Sequence, residues 1–115
     1  VLSTPPEKMS DVEKFYEAHK SEKYRAFKSQ TDMFEFVHPE LSKVYGIKYY
    51  CEKYGYDISK VIAFGDTTND LEMVDECGVG VCMCNGTDDV KAVADIITEF
   101  SNDYDGLAKE LEKLL

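Results

Sequence analysis

The chain has 115 residues, and its 43% hydrophobic content is sufficient for the core of one modest domain. Its formal net charge of −10 at pH 7 argues against a nucleic-acid surface, because phosphate backbones are bound by clustered lysine and arginine side chains. The sequence contains neither a run of about 18 apolar residues nor a charged segment followed by an apolar one, so it predicts no membrane helix and no signal peptide.

The first 39 residues combine short strands with one amphipathic helix. A strand is predicted at residues 1–3, and the absence of an initial methionine suggests a piece of a longer protein. Pro5 or Pro6 suits the first turn of a helix whose apolar positions recur three and four residues apart. Residues 24–28 and 33–37 predict two strands around a polar turn at 29–32. This order predicts a small α+β piece that ends at Pro39.

Residues 40–115 alternate between helices and strands. Ser42 is placed to cap a helix that Gly55 ends, and strands are predicted at 61–64, 79–83 and 95–98. Helices are predicted at 69–76, after Thr87, and along a leucine stripe from Leu107. The predicted core face of the first helix consists of Val44, Ile47, Tyr50, Cys51 and Tyr54. This alternation predicts half of a doubly wound parallel α/β sheet.

The most informative stretch is residues 61–70, where an apolar run ends in Gly65 and Asp66 and is followed by Asn69 and Asp70. Buried parallel strands have this composition, and open α/β sheets bind ligands at the carboxyl ends of their strands. Gly65 would let the backbone approach a metal or phosphate without a Cβ in the way. Oxygen ligands of this kind suit Mg²⁺, which carboxylates, waters and substrate phosphate usually hold together. The alternative is a tight turn whose Asp or Asn caps the next helix.

Residues 65–73, Gly-Asp-Thr-Thr-Asn-Asp-Leu-Glu-Met, resemble the fourth motif (GDxxNDxxM) of haloacid-dehalogenase-superfamily phosphatases, in particular the Cof-type branch with a large inserted cap. Lys43, directly after Ser42, resembles the lysine of the third motif. The resemblance implies the C-terminal half of a Rossmann-like parallel sheet core at residues 40–115. It implies the C-terminal part of an α+β cap domain of class IIB at residues 1–39. The implied activity is hydrolysis of small phosphate monoesters through an aspartyl-phosphate with Mg²⁺.

The resemblance also implies a role for each matching side chain. Asp66 would bind Mg²⁺ directly, and Asp70 would act at the metal through water or by holding Lys43. Lys43 would contact the phosphoryl group of a small phosphorylated metabolite. Asn69 would donate its amide hydrogens to a phosphate oxygen or order the metal shell. The alternative for Lys43 is a solvated lysine, whose charge is slightly unfavourable at a helix N-terminus.

The nucleophile motif of that family, DxDGT at the end of an apolar strand, has no convincing counterpart here. Residues 103–106 spell Asp-Tyr-Asp-Gly, but they precede the leucine stripe and are therefore predicted to begin a helix. We therefore expect an inactive fragment of a phosphatase, or alternatively a non-catalytic binding or regulatory module derived from such a core. A half-sheet would also leave one edge uncovered, which favours self-association.

Four cysteines are the remaining chemical candidates. Cys82 and Cys84 would share one face of a continuous strand, which leaves a disulfide or soft-metal site open as alternatives. No CxxC or histidine spacing accompanies them. We expect reduced, buried thiols in a cytoplasmic protein.

Overall fold

The computed structural model describes all residues from Val1 to Leu115, and the chain divides into two units, Val1–Leu41 and Ser42–Leu115. The boundary expected at Pro39 lies within two residues of this division. None of the helices combines the length and the apolarity that crossing a bilayer requires.

The first unit is a three-stranded antiparallel sheet with one helix. Its elements are β1 (Leu2–Ser3), α1 (Met9–Ala18), β2 (Arg25–Gln30) and β3 (Met33–Val37), and a 3-10 turn at Pro6–Lys8 precedes α1. The strand order is β1-β3-β2. The predicted strands and helix are confirmed, but the polar turn is shorter than predicted. A register shift between Lys28 and Gln30 lets Gln30 pair with Met33, so only residues 31 and 32 form the turn.

The second unit contains a three-stranded parallel sheet. Its elements are α2 (Lys43–Tyr54), β4 (Ile62–Gly65), α3 (Leu71–Glu76), β5 (Val79–Cys82), α4 (Asp88–Val93), β6 (Ile96–Ile97) and α5 (Gly106–Leu114). The strand order is β4-β5-β6, and both pairings are parallel. The predicted parallel α/β fold is confirmed. Its core lies at the central strand, where Val74, Cys82 and Val90 pack together at 0 to 1% exposure.

Strand β4 forms one edge of this sheet. The carbonyls of Val61 and Gly65 accept hydrogen bonds from the backbone N–H groups of Val79 and Met83 in and after β5, both at 3.0 Å. Because successive residues of a strand direct their backbone groups to opposite sides, Ile62 and Phe64 direct theirs to the open edge. β4 therefore offers a row of backbone donors and acceptors that no other strand of the sheet pairs.

The ends of α2 form as predicted. The Ser42 hydroxyl accepts a hydrogen bond from the Tyr45 backbone N–H at 3.1 Å, and Gly55 ends the helix with a φ of 73°. A left-handed φ of this kind favours glycine because it has no Cβ.

The predicted core face of α2 is partly wrong. Val44 and Cys51 are buried, but Tyr50 and Tyr54 are 55% and 56% exposed. Their rings contact each other, with centroids 4.6 Å apart, and the Tyr50 ring also stacks on that of Tyr56. Periodicity counts tyrosine as apolar, whereas the phenol hydroxyl allows such a cluster to remain in contact with water.

Two further predictions needed correction. Helix α5 forms as predicted, but Leu107 is 46% exposed, and the side of α5 that is buried carries Gly106 and Glu110.

Strand β5 ends at Cys82, so Cys84 lies beyond the strand. All four cysteines are free thiols, and burial is the main cause that raises the pKa of Cys77 and Cys82.

Candidate active site at the end of strand β4

Asp66 directly follows the last residue of β4, and its carboxylate side chain is exposed. Its backbone is held on both sides. The Asp66 N–H donates to Asp70 Oδ2 at 3.0 Å, and the Asp66 carbonyl accepts from the Thr87 N–H at 2.8 Å. The fold therefore fixes the backbone of Asp66 and presents its carboxylate at the carboxyl end of the sheet, where parallel sheets place their ligands.

Asp70 is the buried carboxylate of the site, at 4% exposure. It ends the 3-10 turn Thr68–Asp70, and its Oδ2 accepts from the N–H groups of Asp66 and Thr67. Its Oδ1 pairs with Lys43 Nζ. Burial acts to raise the pKa of Asp70, but the hydrogen bonds from Lys43 and the two N–H groups outweigh burial and hold that pKa below its usual value. Both oxygens of Asp70 are thus already engaged.

The structure explains the glycine at position 65 differently from the sequence, which suggested close approach to a metal or phosphate. A Cβ at this position would lie 2.5 Å from Asp70 Cβ and 2.8 Å from Val74 Cγ2. The space beside the Gly65 Cα is therefore filled by the Asp70 side chain. The glycine lets a buried carboxylate pack against the strand end.

Lys43 is the first residue of α2, and its side chain is half exposed. The helix begins at Lys43 because Ser42 caps it, and the ion pair with Asp70 brings the ammonium group to the end of β4. An ammonium group has three donors, so one contact with Asp70 leaves capacity for a further acceptor.

Asn69 lies in the middle of the 3-10 turn and is half-buried. Its Oδ1 accepts a hydrogen bond from the Thr67 hydroxyl at 2.6 Å. With the amide oxygen used in this way, the amide N–H donors are directed away from Thr67. The structure thus brings Asp66, Asn69, Asp70 and Lys43 to one strand end.

The loop between β5 and α4 adjoins Asp66 closely. A Cβ at Gly86 would lie 2.9 Å from the Asp66 carbonyl oxygen and 2.7 Å from Cys82 Sγ. In the first turn of α4, hydrogen bonds from the hydroxyls of Thr87 and Thr68 lower the pKa of Asp89. The sequence predicted only that a helix follows Thr87. The approach of α4 to the 3-10 turn after β4 depends on tertiary structure and left no signal in the local pattern.

The Asp-Tyr-Asp-Gly motif at residues 103–106 lies away from any strand end. Asp103 belongs to the 3-10 turn Asn102–Tyr104, and Asp105, with a φ of 58°, precedes α5. Neither residue follows a strand directly, since β6 ends at Ile97. The structure places Asp103 and Asp105 at a helix start, as the sequence predicted.

No group of three or more histidine, cysteine, aspartate or glutamate side chains is arranged to hold a metal ion. A site built on the exposed Asp66 therefore needs ligands besides this chain's carboxylates. Mg²⁺ is commonly bound in this manner, through one or two carboxylates, waters and a substrate phosphate. The donor set at the end of β4 fits such a shared site.

Comparison with known proteins identifies the family of this chain. The sequence model of the haloacid dehalogenase-like hydrolase family matches residues 1–111. The chain is 36% identical over 90 residues to 5-amino-6-(5-phospho-D-ribitylamino)uracil phosphatase YitU of Bacillus subtilis, a match that covers 78% of the chain and 33% of that protein. It is 42% identical over 80 residues to the chloroplastic endoribonuclease YBEY of Arabidopsis thaliana, a match that covers 70% of the chain and 14% of that protein.

A solved structure shows the same similarity. A haloacid dehalogenase-like hydrolase from Bacteroides thetaiotaomicron matches with a TM-score of 0.80 and 33% identity, covering 98% of the chain and 42% of that structure. The chain spans about a third or less of the length of the two curated relatives.

Proposed function

The chain belongs to the haloacid dehalogenase-like hydrolases, and we propose that it supplies the metal-binding and phosphate-binding half of a Mg²⁺-dependent phosphatase of the Cof type. Its substrates would be small phosphate monoesters. The observation that carries this proposal is the Lys43–Asp70 ion pair, which brings a cation from α2 to the strand end that presents Asp66. A carboxylate and an ammonium group at one strand end suit a phosphate accompanied by a divalent cation.

Asp66 is the residue we propose as the direct Mg²⁺ ligand, because its carboxylate is exposed while its backbone is fixed. Asp70 would act indirectly. Both Asp70 oxygens already accept hydrogen bonds, so Asp70 would hold Lys43 and the Asp66 backbone, or reach the metal through water. Mg²⁺ bound at such a site would neutralise charge on the phosphoryl oxygens during transfer.

Lys43 and Asn69 are the proposed phosphate-binding residues. The Lys43 ammonium would offset the negative charge of the phosphoryl group, and the Asn69 amide would donate to a phosphate oxygen. Donors that are already positioned need no rearrangement when charge develops in the transition state. Asp70 holds Lys43, and the Thr67 hydroxyl holds the Asn69 amide.

The nucleophile of the aspartyl-phosphate route would come from outside these 115 residues, so the chain by itself would be inactive. In this proposal residues 40–115 form the C-terminal half of the catalytic core, and residues 1–39 form the end of a cap. The four free thiols are in keeping with a reducing compartment such as the cytoplasm. The partner is a small phosphorylated metabolite, with no nucleic acid or membrane involved.

The test is a phosphatase assay on a longer protein that contains these 115 residues and has the length of the relatives. Hydrolysis of para-nitrophenyl phosphate should require Mg²⁺ and should be lost in Asp66→Ala. Lys43→Ala should lower kcat/KM by about 10²–10³, the usual cost of one such electrostatic contact. Lys48→Ala is the matched control, because Lys48 is also on α2 but pairs with Glu76.

Two outcomes would contradict the proposal. Turnover that needs no metal or survives Asp66→Ala would contradict the Mg²⁺ site at Asp66, and no turnover at all would favour the alternative of a non-catalytic binding or regulatory module. The substrate panel should include 5-amino-6-(5-phospho-D-ribitylamino)uracil, because the name of one relative specifies it.

A further inference from the structure

We propose that Thr98, the residue after β6, is a positioning residue that holds the loop between β5 and α4 and, through that loop, the backbone of Asp66. The proposal rests on the proposed function where it concerns Mg²⁺ and on the hydrogen bonds of the fold alone where it concerns the loop. Thr98 itself would touch neither the metal nor the substrate.

The Thr98 hydroxyl is buried and both accepts and donates a hydrogen bond. Thr98 is 2% exposed, and its Oγ1 accepts from the Cys84 N–H at 3.0 Å and donates to the Phe100 carbonyl at 2.7 Å. Backbone bonding between β5 and the β6 segment ends where the Thr98 N–H donates to the Cys82 carbonyl at 2.9 Å. Beyond that point the Thr98 side chain holds the start of the loop. Removing its hydroxyl would leave the Cys84 N–H without an acceptor, so the loop should shift to find another one.

A second contact joins the same two segments at the surface. The Asn85 amide donates to Asn102 Oδ1 at 2.7 Å, and both residues are exposed. Water can compete for an exposed hydrogen bond, whereas the buried hydroxyl of Thr98 has no such competitor. Thr98 is therefore the stronger restraint on the loop.

The other side of the loop is bound to the end of β4. The Met83 N–H donates to the Gly65 carbonyl at 3.0 Å, and the Thr87 N–H donates to the Asp66 carbonyl at 2.8 Å. Between these two points the Gly86 N–H donates to the Met83 carbonyl at 2.8 Å, which closes the loop into a tight turn. The loop thus forms a short, internally bonded link to the backbone of Asp66.

The loop also packs directly against the Asp66 backbone. A Cβ at Gly86 would lie 2.9 Å from the Asp66 carbonyl oxygen and 2.7 Å from Cys82 Sγ. A shift of the loop at Cys84 would carry the Thr87 N–H with it and lengthen its hydrogen bond to Asp66. Loss of the Thr98 hydroxyl should therefore loosen the residue that the proposed function assigns to Mg²⁺.

Asp95 provides a matched comparison on the other side of β6. Its Oδ2 accepts from the Gly80 N–H at 2.8 Å, so each of the two residues flanking β6 supplies a side-chain acceptor to a backbone N–H of the β5 segment. Because β5 and β6 are parallel, the Asp95 contact lies at their amino ends and the Thr98 contact at their carboxyl ends. Only the Thr98 contact adjoins the loop that holds Asp66.

The first experiment is NMR spectroscopy of the longer protein described above, with isotope-labelled threonine and without metal. The Thr87 amide signal is identified by its loss in Thr87→Ser. Its proton should move upfield in Thr98→Val, because a longer hydrogen bond to Asp66 deshields it less, and should keep its position in Asp95→Ala. Thr98→Ser retains the hydroxyl and should restore the original position. A Thr87 proton that does not move in Thr98→Val, or that moves equally in Asp95→Ala, would overturn the proposal.

The second experiment is calorimetric titration of the same proteins with Mg²⁺. Thr98→Val should weaken Mg²⁺ binding about twofold to tenfold relative to Asp95→Ala, the scale of one hydrogen bond. The comparison is strict, because Asp95→Ala also removes a negative charge, which by itself can only weaken the binding of a cation. Thr98→Ser should bind Mg²⁺ as the unmodified protein does. Thermal melting checks folding, and Thr98→Ala, with the same expected results, replaces Thr98→Val if the valine variant does not fold.

Asp66→Asn separates this inference from the proposed function. If Asp66→Asn leaves Mg²⁺ binding unchanged, the proposed function fails, and the NMR result alone decides whether Thr98 positions the loop. If Asp66→Asn weakens Mg²⁺ binding but Thr98→Val binds no more weakly than Asp95→Ala, only the present inference fails.

Discussion

Lys43 and Asp70 lie 27 residues apart in the sequence, and their side chains form an ion pair between the start of α2 and the turn after β4. The two partners differ in exposure, because the Lys43 side chain is 50% exposed and that of Asp70 is 5% exposed. Removing the Lys43 side chain therefore has different consequences from removing that of Asp70. The Lys43 ammonium group is accessible to water, whereas the Asp70 carboxylate is buried.

Asp70→Ala should destabilise the second unit more than Lys43→Ala does. The substitution leaves the N–H groups of Asp66 and Thr67 without their acceptor, at an expected cost of about 1–3 kcal/mol in the free energy of unfolding. Urea denaturation measures the difference. Asp75→Ala is the control, because Asp75 is an exposed aspartate on α3; an equal loss there would contradict the prediction.

The stability of the protein should fall in acid partly through Asp70. The pKa of Asp70 is held below the ordinary aspartate value of 3.8 in the folded state. Its contribution to stability is therefore complete above the pKa of the unfolded state and is lost as pH falls through the folded pKa. In Asp70→Asn this part of the pH dependence should vanish. Unfolding free energies between pH 6 and pH 2.5, compared for the two proteins, test this; parallel curves would show that Asp70 does not contribute.

Gly65→Ala and Gly46→Ala should have opposite effects on stability. At Gly65 the new methyl group would meet Asp70 and Val74, so overpacking should cost about 1–3 kcal/mol. At Gly46, within α2, a Cβ meets nothing within 4 Å. Alanine there should stabilise the helix by about 0.5–1 kcal/mol. Thermal melting of both variants checks the signs, and a neutral Gly65→Ala would mean that Asp70 can move aside without cost.

The 115-residue chain should not hydrolyse para-nitrophenyl phosphate in the presence of Mg²⁺. The residues at the end of β4 bind and balance charge, whereas a covalent route needs a positioned carboxylate nucleophile. The assay includes Asp103→Asn as a second protein. Metal-dependent turnover that disappears in Asp103→Asn would identify the acidic motif before α5 as a nucleophile and reverse this prediction.

The open edge of β4 should make the isolated chain associate with a second copy. Two β4 strands related by a two-fold axis run antiparallel, and the free backbone groups of Ile62 and Phe64 on each can then pair with the other strand. A cavity of 510 Å³, lined in part by Ile47, Tyr50 and Val61, adds apolar surface in the same unit. Sedimentation over a range of concentrations should show a monomer–dimer equilibrium. A monomer at every concentration with a cooperative, high-temperature melt would contradict this.

The sequence predicts the strand end well, because the elements involved are governed by local rules. An apolar run followed by Gly65 and Asp66 indicates a buried parallel strand, and the caps at Ser42 and Gly55 depend on one residue each. These predictions are confirmed.

The features that the sequence did not predict depend on contacts between distant residues. The clash that requires Gly65 involves a side chain that folds back from Asp70, and the close approach of Gly86 to the Asp66 carbonyl depends on how the loop after β5 meets the end of β4. The exposure of Tyr50 was missed for a further reason. A helical period identifies which residues share a face, but not which face other elements cover.

The two glycines beside the site also bear on how this surface can vary. At residues 65 and 86 the neighbouring atoms already occupy the place of a side chain. A survey of all single substitutions would therefore find both positions nearly intolerant, although neither contributes a functional group. Diversity at this end of the sheet must instead arise at exposed positions such as Asn85, where a new side chain extends into solvent. The backbone at this end of the sheet can in this way stay the same while the side chains around it change.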